Sequence, residues 1–297
     1  MKFLKNILKR GPRVKKVDLS KRFDLITRVG QGSMSKVWRA TDRMTGRMVA
    51  IKVLDKAKLI RLERRFVGMK KPDEGDIAMS LRHPNIVKTL EHGVTTNDEQ
   101  YLVMEFVEGR GLSFYVDQQN DVMLANRLSF MIQLGQAVAY LHEQGWIHRD
   151  ICPRNVVVTN DLTLKLIDFG LTVPNTEEFQ KPGNRTGTAS YMAPELVMRH
   201  RTDQRIDVFS YAVSCYEMCA HAYPWATGDT LESVLEHVNK PPEPLQKFVP
   251  NIDDELAKII MKGLTRYPDD RWQTASKMVS ALQKIRRRLE PVHADDE

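Results

Sequence analysis

Cysteine is scarce in this chain: only Cys152, Cys215 and Cys219 occur among 297 residues. So small and odd a set builds no disulfide framework. No His or Cys stands at metal-ligand spacing either, so a structural zinc site is not expected. Cys215 and Cys219 fall in an apolar helical run, where burial explains them better than redox pairing. Long hydrophobic runs are missing too. Without 18 consecutive apolar residues, and without an apolar leader ending in a small-residue cleavage site, neither a membrane span nor a signal peptide is indicated, and a cytoplasmic protein is expected. Internal repeats and low-complexity segments are absent.

Basic charge is present in excess, 45 Lys and Arg against 38 Asp and Glu, but it is concentrated. Nine of the basic residues and one Asp lie in residues 1–22, which leaves 36 basic and 37 acidic side chains for the rest. The main body is therefore near neutral, and no specific nucleic-acid partner is expected. Within the arm, Phe3, Leu4, Ile7 and Leu8 share one helical face, ringed by Lys2, Lys5, Lys9 and Arg10 and ended by Gly11 and Pro12. That pattern is amphipathic. At roughly 1 kcal/mol per basic residue near an anionic bilayer, weak membrane or partner contact through residues 1–22 is feasible. So short a helix is marginal in water, however, and a charged, frayed arm is the commoner explanation.

Apolar content of 42% is enough for a core in a chain of this length. Three short strands are predicted between Phe23 and Leu54: one ending at the glycines, one over Lys36–Thr41 and one over Arg47–Leu54, with Asp42–Gly46 as a turn. A further strand is predicted over Tyr101–Val107. The period then changes. Leu124, Leu128, Met131, Leu134, Val138 and Leu141 mark one helical face stopped at Gly145, and helices are predicted near Arg205–Ala220, Asp253–Lys262 and Thr274–Arg288. Strands first and helices after make an α+β chain.

Chemistry-bearing residues punctuate this frame. The run from Gly30 through Gly32 to Ser35 lies between two strands, where glycines allow a tight turn and close approach of amides to phosphate; alone, it is a hairpin turn. No helix follows it, which excludes a dinucleotide-binding fingerprint. In Val49-Ala50-Ile51-Lys52 the period of two places Ala50 and Lys52 on one face, although a lone Lys at a strand end is more often a snorkelling surface residue. His148-Arg149-Asp150 with Asn155, Asp168-Phe169-Gly170 and Ala193-Pro194-Glu195 come next, in that order.

Together these motifs resemble the eukaryotic-type protein kinase family, in its Ser/Thr branch and in a compact form that suits a bacterial member, from about Phe23 to Ile285. The resemblance implies a bilobal α+β fold, with a strand-rich N-lobe (23–104), a helix-rich C-lobe (105–285) and the ATP site between them, preceded by the arm (1–22) and followed by a tail (286–297). It implies ATP and Mg²⁺ or Mn²⁺ as cofactors and proteins as substrates. Asp150 would accept or orient the acceptor proton, Lys52 would contact the α- and β-phosphates, and Asn155 and Asp168 would hold metal. Val29, Gly30, Gly32, Ser35, Val37 and Ala50 would surround the nucleotide, with Met104 as gatekeeper and the backbone of Glu105 and Val107 on the adenine edge.

Nine residues before His83, Glu74 is where the family places the carboxylate that holds the lysine. Pro72 and Gly75 flank it, with Pro72 expected in the first turn of a helix and Asp73 or Asp76 as substitutes. Cys152 stands where Ser/Thr kinases normally carry Lys, and Arg154 stands in for that charge as in many tyrosine kinases. The segment from Gly187 through Thr188 to Glu195 has the Ser/Thr form and outweighs this departure, with dual specificity left open. Cys152 is read as a small packed residue, against a reactive thiol. Asp207 resembles the family's helix anchor, and Arg271 the partner of Glu195. Arg149 beside Asp150 resembles kinases whose activation loop is ordered by phosphorylation, with Thr172, Thr176 and Thr186 as candidates. The competing reading is a pseudokinase that binds nucleotide and signals by docking; Lys52, Asp150, Asn155 and Asp168 speak against it.

Overall fold

The computed structural model describes residues 16–31, 35–66, 68–69, 71–183, 185–226 and 238–289. The amphipathic pattern predicted within residues 1–10 and the glycine at 32 lie outside them. Two compact units are present: the described residues up to Arg64 with Thr89–Phe106, and Arg65–Lys88 with Val107 onward.

The first unit is built on a five-stranded antiparallel sheet. Its strands are β1 (Phe23–Gln31), β2 (Ser35–Asp42), β3 (Met48–Leu54), β4 (Thr89–Val94) and β5 (Gln100–Glu105), in spatial order β1-β2-β3-β5-β4. Alternation decides its core: Phe23, Ala40, Val49, Ile51, Tyr101 and Val103 cluster on one face. Two helices belong to this unit, α1 (Leu19–Arg22) and α2 (Lys56–Glu63). Residues 16–22, read from the sequence as part of the arm, lie on the sheet. Val17 bridges Thr95, and Arg22 donates to Glu91 at 2.7 Å and Asp42 at 3.3 Å.

In the second unit, α3 (Glu74–Ser80) begins with Asp73 at its N-cap, so Pro72 precedes the cap and is not in the first turn as expected. There its missing N–H deprives the helix of no hydrogen bond. The chain after α3 docks onto the helical body: the Arg82 amide donates to the Tyr140 hydroxyl, and Asn85 donates to the Leu164 carbonyl and Gln133. Then come β6 (Gly109–Gly111), α4 (Leu112–Gln118) and α5 (Asp121–Glu143). Asn120 caps α5 by accepting from the Met123 amide, and Gly145 turns the chain away at φ +79°. Next are β7 (Trp146–Ile147), β8 (Val156–Thr159), β9 (Leu164–Leu166) and β10 (Val173–Pro174), followed by α6 (Glu177–Gln180), α7 (Pro194–Val197) and α8 (Arg205–Ala220). Last are α9 (Asp254–Gly263) and α10 (Ala275–Leu289).

Helix α8 is buried almost all round, the signature of a central helix. Gly135 of α5 lets this packing close, because a β-carbon there would collide with Tyr211 of α8 and Val279 of α10. A buried central helix can place a polar residue at its first turn only if every polar atom there is satisfied, and Asp207 is such a residue.

Candidate active site

On the first unit, β3 carries two faces. Val49 and Ile51 enter the core, while Ala50 and Lys52 share the other side. Directly paired residues of antiparallel strands point to the same face, so the register brings Val37 and Leu102 beside Lys52, and Met104 beside Ala50. Ser35, two residues from Val37, shares that face and is buried. Lys52 is only 4% exposed, which overturns the snorkelling reading of it. Val29 sits at an irregularity between Arg28 and Gly30 and is exposed, and Gly30 pairs with Val37. Glu105 ends β5 opposite Val49, and Phe106 and Val107 leave the strand.

On the second unit, the loop after β7 is organised by Asp207. Its carboxylate accepts from the His148 amide at 2.7 Å, the Arg149 amide at 2.8 Å and the His142 ring at 3.0 Å. Burial works to raise the Asp207 pKa, but the His142 hydrogen bond, attraction to the His142 and His148 rings and the His148 amide outweigh it, so the carboxyl lies below its ordinary range. These bonds hold Arg149 at φ +71°, a conformation that a bulky residue rarely adopts. Burial pushes the Arg149 guanidinium down to about 10.

Asp150 comes next and is gripped from two sides. Thr188 donates through its amide and its hydroxyl, both at 2.8 Å, to Oδ1; Asn155 Nδ2 donates to Oδ2 at 2.9 Å and to the Asp150 carbonyl at 2.8 Å. The Asn155 carbonyl in turn accepts from the Ile167 amide at 3.0 Å, tying the loop to the residue before Asp168. Asp168 Oδ1 accepts from the Gly170 amide at 2.9 Å. Both that oxygen and Glu74 Oε2 lie 3.3 Å from where a Gly170 β-carbon would be, so Asp168 and Glu74 flank one glycine. Glu74 is buried while Asp73 and Asp76 are exposed, which leaves Glu74 as the carboxylate of this helix at the site.

Gly187 makes the approach of Thr188 feasible. It adopts φ +124°, and a β-carbon there would lie 2.5 Å from the Arg149 carbonyl. Behind this turn, Glu195 and Arg271 form a bidentate pair with both contacts at 2.7 Å, and the guanidinium also donates to the Thr265 and Arg266 carbonyls.

Residues 23–282 match the protein kinase domain family model. A probable serine/threonine-protein kinase of Clostridium perfringens is 32% identical over 91% of this chain and 39% of its own length. One of Corynebacterium efficiens is 30% identical over 91% of this chain and 42% of its own. The serine/threonine-protein kinase PknA of Mycobacterium tuberculosis is 30% identical over 93% of this chain and 64% of its own. The chain belongs to the protein kinase domain family. It spans about two fifths of the clostridial and corynebacterial relatives and under two thirds of PknA. No described helix of the kinase domain is long and apolar enough to cross a membrane.

Within this kinase domain, Asp150, Asn155, Asp168, Glu74 and Thr188 are brought into one neighbourhood of the second unit, and Val37, Ala50, Lys52 and Met104 onto one face of the first. Arg154, four positions after Asp150, is exposed. Cys152 is 1% exposed, and burial together with the Asp150 charge pushes its thiol up to about 12, so it packs and does not react as a thiolate. The candidate phosphorylation sites differ in access: Thr172 and Thr186 are buried, whereas Thr176 is exposed at the start of α6. Sequence reasoning missed His142 as a partner of Asp207 and Glu217 as a partner of the Tyr191 hydroxyl. Neither carries a local signal, because each is an ordinary helical residue until the chain has folded.

Proposed function

We propose that this domain transfers the γ-phosphoryl group of ATP to serine or threonine hydroxyls of proteins, and that it phosphorylates its own chain. The observation that carries this reading is the Asp150 carboxylate, oriented by Thr188 on one oxygen and Asn155 on the other, on a loop that Asp207 anchors. Phosphoryl transfer depends on positioning and charge neutralisation far more than on covalent help. Asp150 orients the acceptor hydroxyl and takes its proton, and the exposed Arg154 supplies the cation that Cys152 does not. Lys52 serves the α- and β-phosphates. Val29 and Gly30 near the end of β1, Ser35 at the start of β2 and Gly32 serve the phosphates with it, Val37 and Ala50 serve the adenine, and Met104, Glu105 and Val107 serve its edge. Glu74 completes the set as the buried carboxylate of α3.

The donor atoms suit a hard divalent cation. Asp168 offers carboxylate oxygen, and Asn155, with Nδ2 committed to Asp150, offers its side-chain oxygen. Among the described residues no group of three His, Cys, Asp or Glu could hold a metal alone. Few protein oxygens, supplemented by water and phosphate, is the arrangement Mg²⁺ or Mn²⁺ prefers. Bound there, such an ion would neutralise phosphate charge.

Purified protein incubated with radiolabelled ATP and Mg²⁺, with and without a basic protein substrate, tests the reading beside Asp150→Ala. Label on serine and threonine that falls about 10²- to 10⁴-fold in the variant is expected. Label on tyrosine would overturn the specificity; ATP binding with no label would put the pseudokinase first.

A further inference from the structure

Between Gly170 and Ala193 the chain is held by backbone pairing, side-chain amides, guanidiniums and one buried ring pair. At one end β10 pairs with β7, and the Asn175 amide donates to the Gly145 carbonyl at 2.7 Å. Around α6 the tethers are side-chain amides, one of which meets a guanidinium: Gln180 Oε1 accepts from Arg201 at 3.0 Å. Asn175 donates to Gln204 at 3.1 Å, Gln180 donates to Asn175 at 2.9 Å, and the Gln180 carbonyl accepts from the Thr202 amide at 3.0 Å. On its other side α6 buries one ring. Phe179, with exposed Glu177 and Glu178 before it, packs 6.1 Å from Phe66, and both rings are buried. Arg65, next to Phe66, donates to the Arg185 carbonyl at 3.4 Å. Thr172 and Thr186 keep their hydroxyls buried without a hydrogen-bond partner, so neither is presented for modification in this arrangement.

We propose that Phe66 and Phe179 form an apolar latch that docks this segment, and with it the turn at Gly187 and Thr188, in the unphosphorylated chain. Both are positioning residues: they touch neither nucleotide nor acceptor, and they act through Thr188 on Asp150. The proposal rests on the kinase reading above for its kinetic consequences, but not for its structural ones. A buried aromatic ring shifts a docking equilibrium by roughly 10- to 100-fold, enough to hold a short segment in place without a phosphate.

Trypsin gives a readout independent of activity. Lys181 is followed by Pro182 and resists cleavage, so Arg185 is the one tryptic site between α6 and Gly187. The experiment compares phosphatase-treated wild type, Phe179→Ala, Phe66→Ala and Phe179→Leu, measuring cleavage after Arg185, thermal unfolding, and kcat and KM for a peptide and for ATP. Expected are wild-type activity that survives phosphatase, and cleavage at least tenfold faster in both alanine variants. Peptide KM should rise and kcat fall at unchanged KM for ATP, with Phe179→Leu restored most of the way. A merely structural contact would reduce the active fraction, leaving both KM values unchanged. Loss of wild-type activity on phosphatase treatment, unchanged cleavage at Arg185, or faster turnover in Phe179→Ala would each overturn the latch. A wild type that transfers no phosphate sinks the kinase reading, while the cleavage rates still judge the latch.

Discussion

The loop that carries Asp150 and the segment that follows Gly170 are held by opposite means. The loop hangs from a buried carboxylate, Asp207, that accepts from two main-chain amides and a histidine. The segment around α6 rests on side-chain amides, on exposed guanidiniums that donate to it and on one pair of rings. A buried charge with all its hydrogen bonds made is strongly destabilising to disturb, so it suits a part that must never move. The segment's contacts are each weak and separable, so they suit a part that other forces can displace. Rigidity and adjustability thus lie within a few residues of each other, meeting where Thr188 reaches Asp150.

Breaking the rigid side gives the largest effect. Asp207→Ala orphans two buried amides and the His142 ring, and is expected to lose about 5 kcal/mol of stability and nearly all phosphotransfer, measured by denaturant unfolding and by label incorporation. A variant that unfolds normally would show that the loop is held by something else. Next comes Glu195→Gln, which leaves Arg271 buried beside a neutral amide; a loss of about 3 kcal/mol is expected from the same unfolding curves.

Acid sharpens the comparison. The folded pKa of Asp207 lies below its unfolded value, so the stabilisation is fully present above the unfolded value of about 4 and is lost as pH falls from there through the folded one. Wild type should therefore lose stability more steeply below that pH than Asp207→Asn, and parallel curves would remove Asp207 from the account. The smallest effect concerns Cys152. All three cysteines are buried, so iodoacetamide at mildly alkaline pH should leave the folded domain unlabelled while labelling the unfolded chain fully. Native labelling of Cys152 would mean that the loop opens.

How legible all this was varies with the range of the interaction. Helix α8 falls where the apolar run predicts it, Arg205–Ala220, and β1 to β3 and α5 follow from alternation, period and Gly145. Local signals failed where burial is one-sided. Helix α2 buries only Leu62, with Leu59 half-buried, and is started by Asp55 accepting from Ala57 and Lys58. Strand β4 was missed because its burial alternates weakly. For the site, the pairs Asp150 with Thr188 and Glu195 with Arg271 were readable from motifs, since each partner is itself a motif residue. Phe66 with Phe179 was not: two phenylalanines far apart in a chain with 10 of them carry no mark of belonging together.

The Glu195–Arg271 pair also has a consequence in time. Its partners are separated by 76 residues, and Glu195 is made first. At a synthesis rate of about 5–20 residues per second, the glutamate waits several seconds for the only described group that neutralises it. Until then the carboxylate favours water over burial, and the turn that aligns Thr188 with Asp150 has no floor. A nascent chain thus completes this buried pair only after nearly the whole of the matched domain has been translated.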